Sequence, residues 1–343
     1  MRPAQRITLP LLLLSGAALA GPGARLQVLT TIPDLRDLAA AVGGERVEAT
    51  SLLQGPEDPH FVDPKPAFLT RANQADVFIL CGMDLEIGYA GRIVADSRNP
   101  RIQPGAPGYC DASVQAQKIG LPAAGSDRSQ GDLHAQGNPH YLLDPVNAKR
   151  AAATIRDRLK LVDSGSAAAY DQGLEAFQRR VDEAMFGPKL LGPFRAADLE
   201  ELLARGLLLE FLKKRKLDGD LGGWAAELAP FAGAPFVDYH PGGMRYLARR
   251  FHLEPVGAVE EKPGVPPSPA QLARVIRLIK ERHVKALVWS RYNPKANVDR
   301  IVEGSGAAAV LLAHQVGAVE SARDYVSMMT ANVTALRSAL GRP

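Results

Sequence analysis

The chain of 343 residues is short of several things, and each shortage removes a class of function. It has two cysteines and no CxxC pair, so neither a paired-thiolate zinc motif nor a dithiol redox centre is available. Aromatic residues make up 6% and the formal net charge is only +4. Basic residues cluster only at Lys213-Lys214-Arg215-Lys216, with no aromatic side chain interleaved to stack on bases. Nucleic acid is therefore not an expected partner, and the run reads as a solvated helix end. There is no HExxH helix and no GxSxG elbow, which leaves the commonest hydrolase machinery without its base or nucleophile. After the N-terminus no apolar stretch reaches about 18 uninterrupted residues, the length a spanning helix needs.

The N-terminus is read separately. Arg2 and Arg6 precede an apolar run at residues 7–14, and Ala18-Leu19-Ala20 has the small-x-small form of a cleavage site. Residues 1–20 are expected to be a signal peptide, which places the mature protein free in the periplasm. In that compartment Cys81 and Cys110 could oxidise, but a bridge needs Cα atoms within about 7 Å, and the sequence leaves that open.

Short apolar or β-branched runs alternate with helical patterns. Residues 26–32, 47–53, 76–81, 235–239, 255–259, 284–289 and 309–312 read as strands. Residues 33–42, 66–73, 85–96, 243–251, 269–282, 294–304 and 322–340 read as helices. The alternation predicts an α/β protein of two lobes, each with a mainly parallel sheet flanked by helices. The lobes are expected at residues 21–145 and 226–343. Between them, Ala148, Ala152, Ile155, Leu159 and Val162 open a helical pattern that continues to residue 186. Unbroken, it would make a rigid connector about 60 Å long. Residues 187–225 read as a helical insertion with an amphipathic stretch at 199–212. The Gly- and Ser-rich stretch 120–137, with Asp127, Asp132 and His134, reads as a surface loop.

Three of the seven histidines lie in loop contexts drawn from both halves. His60 follows Asp58-Pro59, His140 follows Asn138-Pro139, and His240 ends the run Phe236-Val237-Asp238-Tyr239 before Pro241-Gly242-Gly243. Ligands of open α/β sheets bind beyond the carboxyl ends of strands, and a preceding proline stiffens the entry to each of the first two histidines. Several imidazoles without thiolate suit Zn²⁺ and similar borderline ions. His252, near the end of a short helix, and His283, ahead of a strand, read as structural. Glu260, Glu261, Asp238 and Glu86 are candidates to orient imidazole N–H groups.

Taken in order, these motifs resemble the cluster 9 metal-binding receptors, the zinc and manganese solute-binding proteins of bacterial ABC importers. Asp58-Pro59-His60 with Pro64 and Pro66 is similar to their first ligand loop, Asn138-Pro139-His140 with Asp144-Pro145 to the second, and His240 to the third. Gly82-Met83-Asp84-Leu85-Glu86 and Pro267-Ser268-Pro269-Ala270-Gln271-Leu272 resemble further family segments, so the likeness covers nearly the whole mature chain. It implies a C-clamp of two lobes with the metal site in the cleft and His60, His140 and His240 as ligands. It also implies a monomer that passes its ion to a permease with a cytoplasmic ATPase, with a metallochaperone as a further partner to be considered. Histidine at the third position favours zinc over manganese, which prefers oxygen ligands.

The family's usual fourth ligand, an aspartate after the last strand, is missing from Val310-Leu311-Leu312-Ala313-His314-Gln315-Val316-Gly317. His134 and His314 are the available substitutes, with water third. His134 is favoured because a loop can fold over a preformed three-histidine site. Two other readings stay in view: a zinc-dependent hydrolase, and a surface adhesin or metal-storage protein on the same scaffold.

Overall fold

The computed structural model describes residues 25–122 and 134–342. The expected signal segment, Asp127 and Asp132 lie outside the described residues.

The first lobe is a parallel sheet of β1 (Leu26–Thr30), β2 (Val47–Ser51), β3 (Val77–Leu80) and β4 (Tyr109–Asp111), in the order β2-β1-β3-β4. Helices α1 (Pro33–Gly43), α2 (Pro66–Gln74) and α3 (Ala90–Asp96) make the crossovers. Strand β3, Val-Phe-Ile-Leu, is buried on both faces, which is why it reads as a continuous apolar run rather than an alternating one. Proline opens α1 and α2 at their first helical position, where its fixed φ and missing N–H do no harm.

Five helices follow: α4 (Pro145–Val162), α5 (Ala167–Phe186), α6 (Ala196–Ala204), α7 (Leu208–Arg215) and α8 (Gly223–Leu228). The single connecting helix expected over 146–186 is in fact two, α4 and α5, parted by a turn at Asp163-Ser164-Gly165-Ser166. Lys149 bonds Asp182 while Arg156 and Lys160 bond Asp171. Rising numbers on α4 meet falling numbers on α5, so the two run antiparallel as a hairpin. Asp163 breaks the run by turning out of helical geometry and accepting the Tyr170 hydroxyl at 2.8 Å. Of the two, α5 is the helix that reaches both lobes, about 30 Å long and packed on α1 as well as on α8 and α12 (Tyr325–Leu340). The amphipathic stretch 199–212 is likewise divided, at Gly206, whose φ of 70° is one that glycine adopts freely.

The second lobe repeats the first. Strands β5 (Pro235–Asp238), β6 (Glu254–Ala258), β7 (Ala286–Trp289) and β8 (Ala308–Leu311) lie in the order β6-β5-β7-β8, all parallel, with α9 (Arg245–Arg250), α10 (Pro269–Glu281) and α11 (Lys295–Ser305) between them. One apolar cluster continues from the first sheet through α1, α4 and α5 to α12 and the second sheet. The loops beyond the carboxyl ends of the two sheets meet directly. Gln315 donates to the carbonyl of Glu57 at 3.0 Å, and the Val316 amide to Asp34 at 3.3 Å. A Cβ on Gly55 would stand 2.2 Å from the backbone of Gly317, so only glycine permits this approach.

Candidate metal centre

The centre lies where those loops converge. His60 comes from the loop after β2, His140 from the turn that opens α4, and His240 from two residues beyond β5. Each offers one ring nitrogen, and the three nitrogens lie within 4.8 Å of one another. An occupied tetrahedral zinc site with Zn–N near 2.0–2.1 Å needs nitrogens about 3.4 Å apart. The three are near enough to converge on one ion.

Each ring is oriented by a partner on Nδ1. Asp58 Oδ1 accepts the backbone N–H of His60 at 3.0 Å and stands 2.8 Å from its Nδ1. Asn138 Oδ1 does the same for His140, at 2.9 and 2.8 Å. One oxygen thus ties backbone and ring of the residue two positions on, the Asx-turn geometry that aspartate and asparagine favour. His240 Nδ1 lies 3.0 Å from Glu260 Oε2. An ionised carboxylate and an amide oxygen can only accept, so the proton belongs on Nδ1 and Nε2 is the nitrogen for a metal. The Nε2 of His140 is buried without a hydrogen-bond partner, a costly state for a polar atom and one that a metal ion relieves.

Electrostatics divides the rings. Burial, aided by the neighbouring imidazoles, holds His140 well below the ordinary imidazole range. Burial disfavours charge on His240 too, but the bond and charge of Glu260, with the charges of Asp238 and Asp58, outweigh it and raise that pKa above 6.5. Burial opposes ionisation of Asp58, yet its contacts with His60 keep it below its ordinary value.

Both candidates for the fourth position are close by. The His134 ring centre is 5.4 Å from that of His60, and the His314 ring centre is 5.6 Å from that of His140. His134 lines a cavity of about 470 Å³ together with His140 and His240. His314 stands on the other side of His140 from that cavity's lining, its Nε2 buried without a hydrogen-bond partner like that of His140, and burial drives its pKa down to about 3. Its Nδ1 faces Ser290 Oγ and, at 3.0 Å, the Tyr292 hydroxyl. Hydroxyls both donate and accept, so unlike the other three rings His314 is not committed to presenting Nε2 as a lone pair.

Of the four carboxylates expected to orient imidazoles, Glu260 bonds a histidine of the centre. Asp238 instead accepts the Met244 amide at 2.8 Å, and Glu261 pairs with Arg274. Glu86 accepts from Thr31 Oγ1 and the Cys81 amide at 2.6 Å and from the Gly82 amide at 3.1 Å. Asp58 and Asn138 were overlooked as orienting groups, although Asx-Pro-His at fixed spacing was the signal for both. Cys81 and Cys110 are free, buried thiols and take no part in the cluster. His252 and His283 stand outside it.

The chain is similar to several known proteins. The family described as ZnuA, zinc-uptake complex component A, periplasmic, matches residues 28–185 and 215–339. The manganese-binding lipoprotein MntA of Halalkalibacterium halodurans is 23% identical over 323 residues, 93% of this chain and 90% of MntA. The zinc-binding lipoprotein AdcA of Streptococcus pneumoniae is 21% identical over 324 residues, 91% of this chain and 55% of AdcA. A crystal structure of ZnuA shares the fold with a TM-score of 0.68 at 19% identity, over 93% of this chain and 100% of that one.

Proposed function

Because the chain belongs to the family of periplasmic zinc-uptake component A proteins, we propose that it captures Zn²⁺ in the periplasm and hands it to an ABC importer, a permease driven by a cytoplasmic ATPase. The observation that carries the choice of zinc is an all-nitrogen triad, His60, His140 and His240, whose Nδ1 atoms are held by acceptors. Manganese prefers an oxygen-rich sphere, and here the nearest carboxylates, Asp58 and Glu260, are engaged with imidazoles. The same engagement disfavours a hydrolase, which needs a carboxylate or imidazole at liberty to act as base toward a metal-bound water.

His134 is the fourth ligand in this reading. It lines the same cavity as His140 and His240, whereas His314 is outside that lining and its Nδ1 faces two hydroxyls that leave its tautomer open. Residues 21–145 and 226–343 act as the two jaws and residues 146–225 as the joint between them. The test has two arms. Growth of a strain lacking this chain in zinc-depleted medium should be restored by the wild-type protein and not by His140→Ala. Cobalt-substituted protein should give the visible spectrum of a tetrahedral nitrogen site, altered by His134→Ala and retained in His314→Ala. A spectrum that changes only with His314→Ala would assign the fourth position to that residue.

A further inference from the structure

Helices α6 and α7 fall almost wholly within the stretch 186–214 that the family match passes over. We propose that this helix pair is a brace that holds the supports of His140 and His240 in fixed relation, with Glu200 and His252 as positioning residues that slow metal release. The inference rests on the zinc-binding reading given above.

Three contacts form a closed triangle. Arg250 on α9 pairs with Asp144, the residue that caps α4 four positions after His140. Lys149 on α4 bonds Glu200 on α6 and, at 2.6 Å, Asp182 on α5. His252, just beyond α9, places Nε2 2.6 Å from the carbonyl of Leu203 on α6. A carbonyl only accepts, so that nitrogen carries the proton. Two elements joined at one point can pivot about it. A third element bonded to both removes the pivot, and α6 is bonded to α4 and to the end of α9.

The brace is built to bear on its partners. Leu199 and Leu203 on α6, and Leu208 and Leu212 on α7, are buried, so α6 is seated by packing as well as by its polar ends. The side chains of Lys149, Asp182 and Glu200 are 13–14% exposed, where a charge pair is little screened. His252 holds φ at 57°, a left-handed conformation that non-glycine residues keep only when their surroundings fix it. Here the bond to Leu203 and the turn that ends α9 fix it.

Two variants cut separate sides of the triangle without touching the metal centre. Glu200→Gln removes the charge that faces Lys149 while Lys149 keeps Asp182. His252→Asn tolerates the left-handed backbone but is too short to reach Leu203. The full chain is loaded with one zinc, and release into excess chelator is followed by stopped flow, alongside thermal unfolding. The brace predicts release about three-fold faster or more in each variant, within the range remote coupling residues produce, with less than additive change in the double variant. Lower melting temperature with wild-type release rates would make α6 and α7 merely structural and overturn the proposal. Failure of the wild-type chain to hold stoichiometric zinc would instead sink the functional reading on which the brace rests.

Discussion

Arg250 grips Asp144 through two parallel bonds, Nε to Oδ1 and Nη2 to Oδ2, each 2.8 Å, with both side chains buried. The pair joins the lobes at the roots of two ligand loops, since Asp144 caps the helix behind His140 and Arg250 ends the helix behind His240. Bidentate geometry gives direction as well as strength, so the pair fixes the point at which those loops are joined.

Replacing one partner leaves the other as a buried, unpaired charge. Arg250→Met is therefore expected to destabilise the protein by about 3–5 kcal/mol, read from urea denaturation. Asp144→Asn with Arg250→Met should recover part of the loss, because the stranded carboxylate is gone. A double variant no better than Arg250→Met would contradict this account.

The acceptors on Nδ1 should matter nearly as much as the ligands. Asp58→Ala and Asn138→Ala are each expected to weaken zinc binding about 10- to 100-fold. Asn138→Asp keeps the oxygen that faces Nδ1 but loses the amide that donates to the Gly242 carbonyl at 2.7 Å, so it should bind better than Asn138→Ala and more weakly than wild type. Equal affinities for wild type and both alanine variants would show that the rings are oriented by packing alone.

Much of this was legible in the sequence, and the failures have physical causes. All seven expected strands exist; the inner strands β3, β5 and β7 are largely buried and leave continuous apolar runs, while the edge strands β2 and β6 are partly exposed. Strand β4 escaped notice: three residues, Tyr109–Asp111, are too few to show a period. The helix expected from residue 85 begins at Ala90 because Gly82, Met83 and Asp84 all have positive φ and Glu86 is turned inward. The turn at 163–166 escaped because one glycine and two serines interrupt a helical pattern only weakly, and the ion pairs that fold α5 back onto α4 are long-range. The clustered histidines His60, His140 and His240 stand out by their loops, whereas Glu260 separates from Asp238 and Glu86 only in the folded chain.

Zinc binding should depend on pH through His240. Its raised pKa means that a metal must expel a proton there, whereas His140 is already neutral. Affinity is expected to fall with decreasing pH, starting above 6.5. In Glu260→Gln the carboxylate charge that raises this pKa is gone, so the fall should shift to lower pH. Titrations between about pH 5 and 8, either side of the ordinary imidazole value, decide it. The same pH profile in both proteins would contradict the assignment.

Asp34 predicts a pH effect on stability rather than on binding. Burial pushes its pKa from 3.8 to about 7, against the opposing bond from the Val316 amide. The folded state therefore holds a proton that the unfolded chain has released. This contribution is complete below 3.8 and is lost as pH rises through about 7. Asp34→Asn has no such dependence, so the stability of wild type relative to the variant should decline from about pH 4 to pH 7 and level off above. A difference constant across that range would show Asp34 to be ionised throughout.

The central claim is that three imidazoles from two lobes hold one zinc ion. Calorimetric titration of the purified protein with Zn²⁺, beside His60→Ala, His140→Ala and His240→Ala, tests it most directly. The account predicts one tightly bound ion in the wild-type protein and a large loss of affinity in each of the three variants. Absence of stoichiometric zinc, or binding indifferent to all three substitutions, would contradict it.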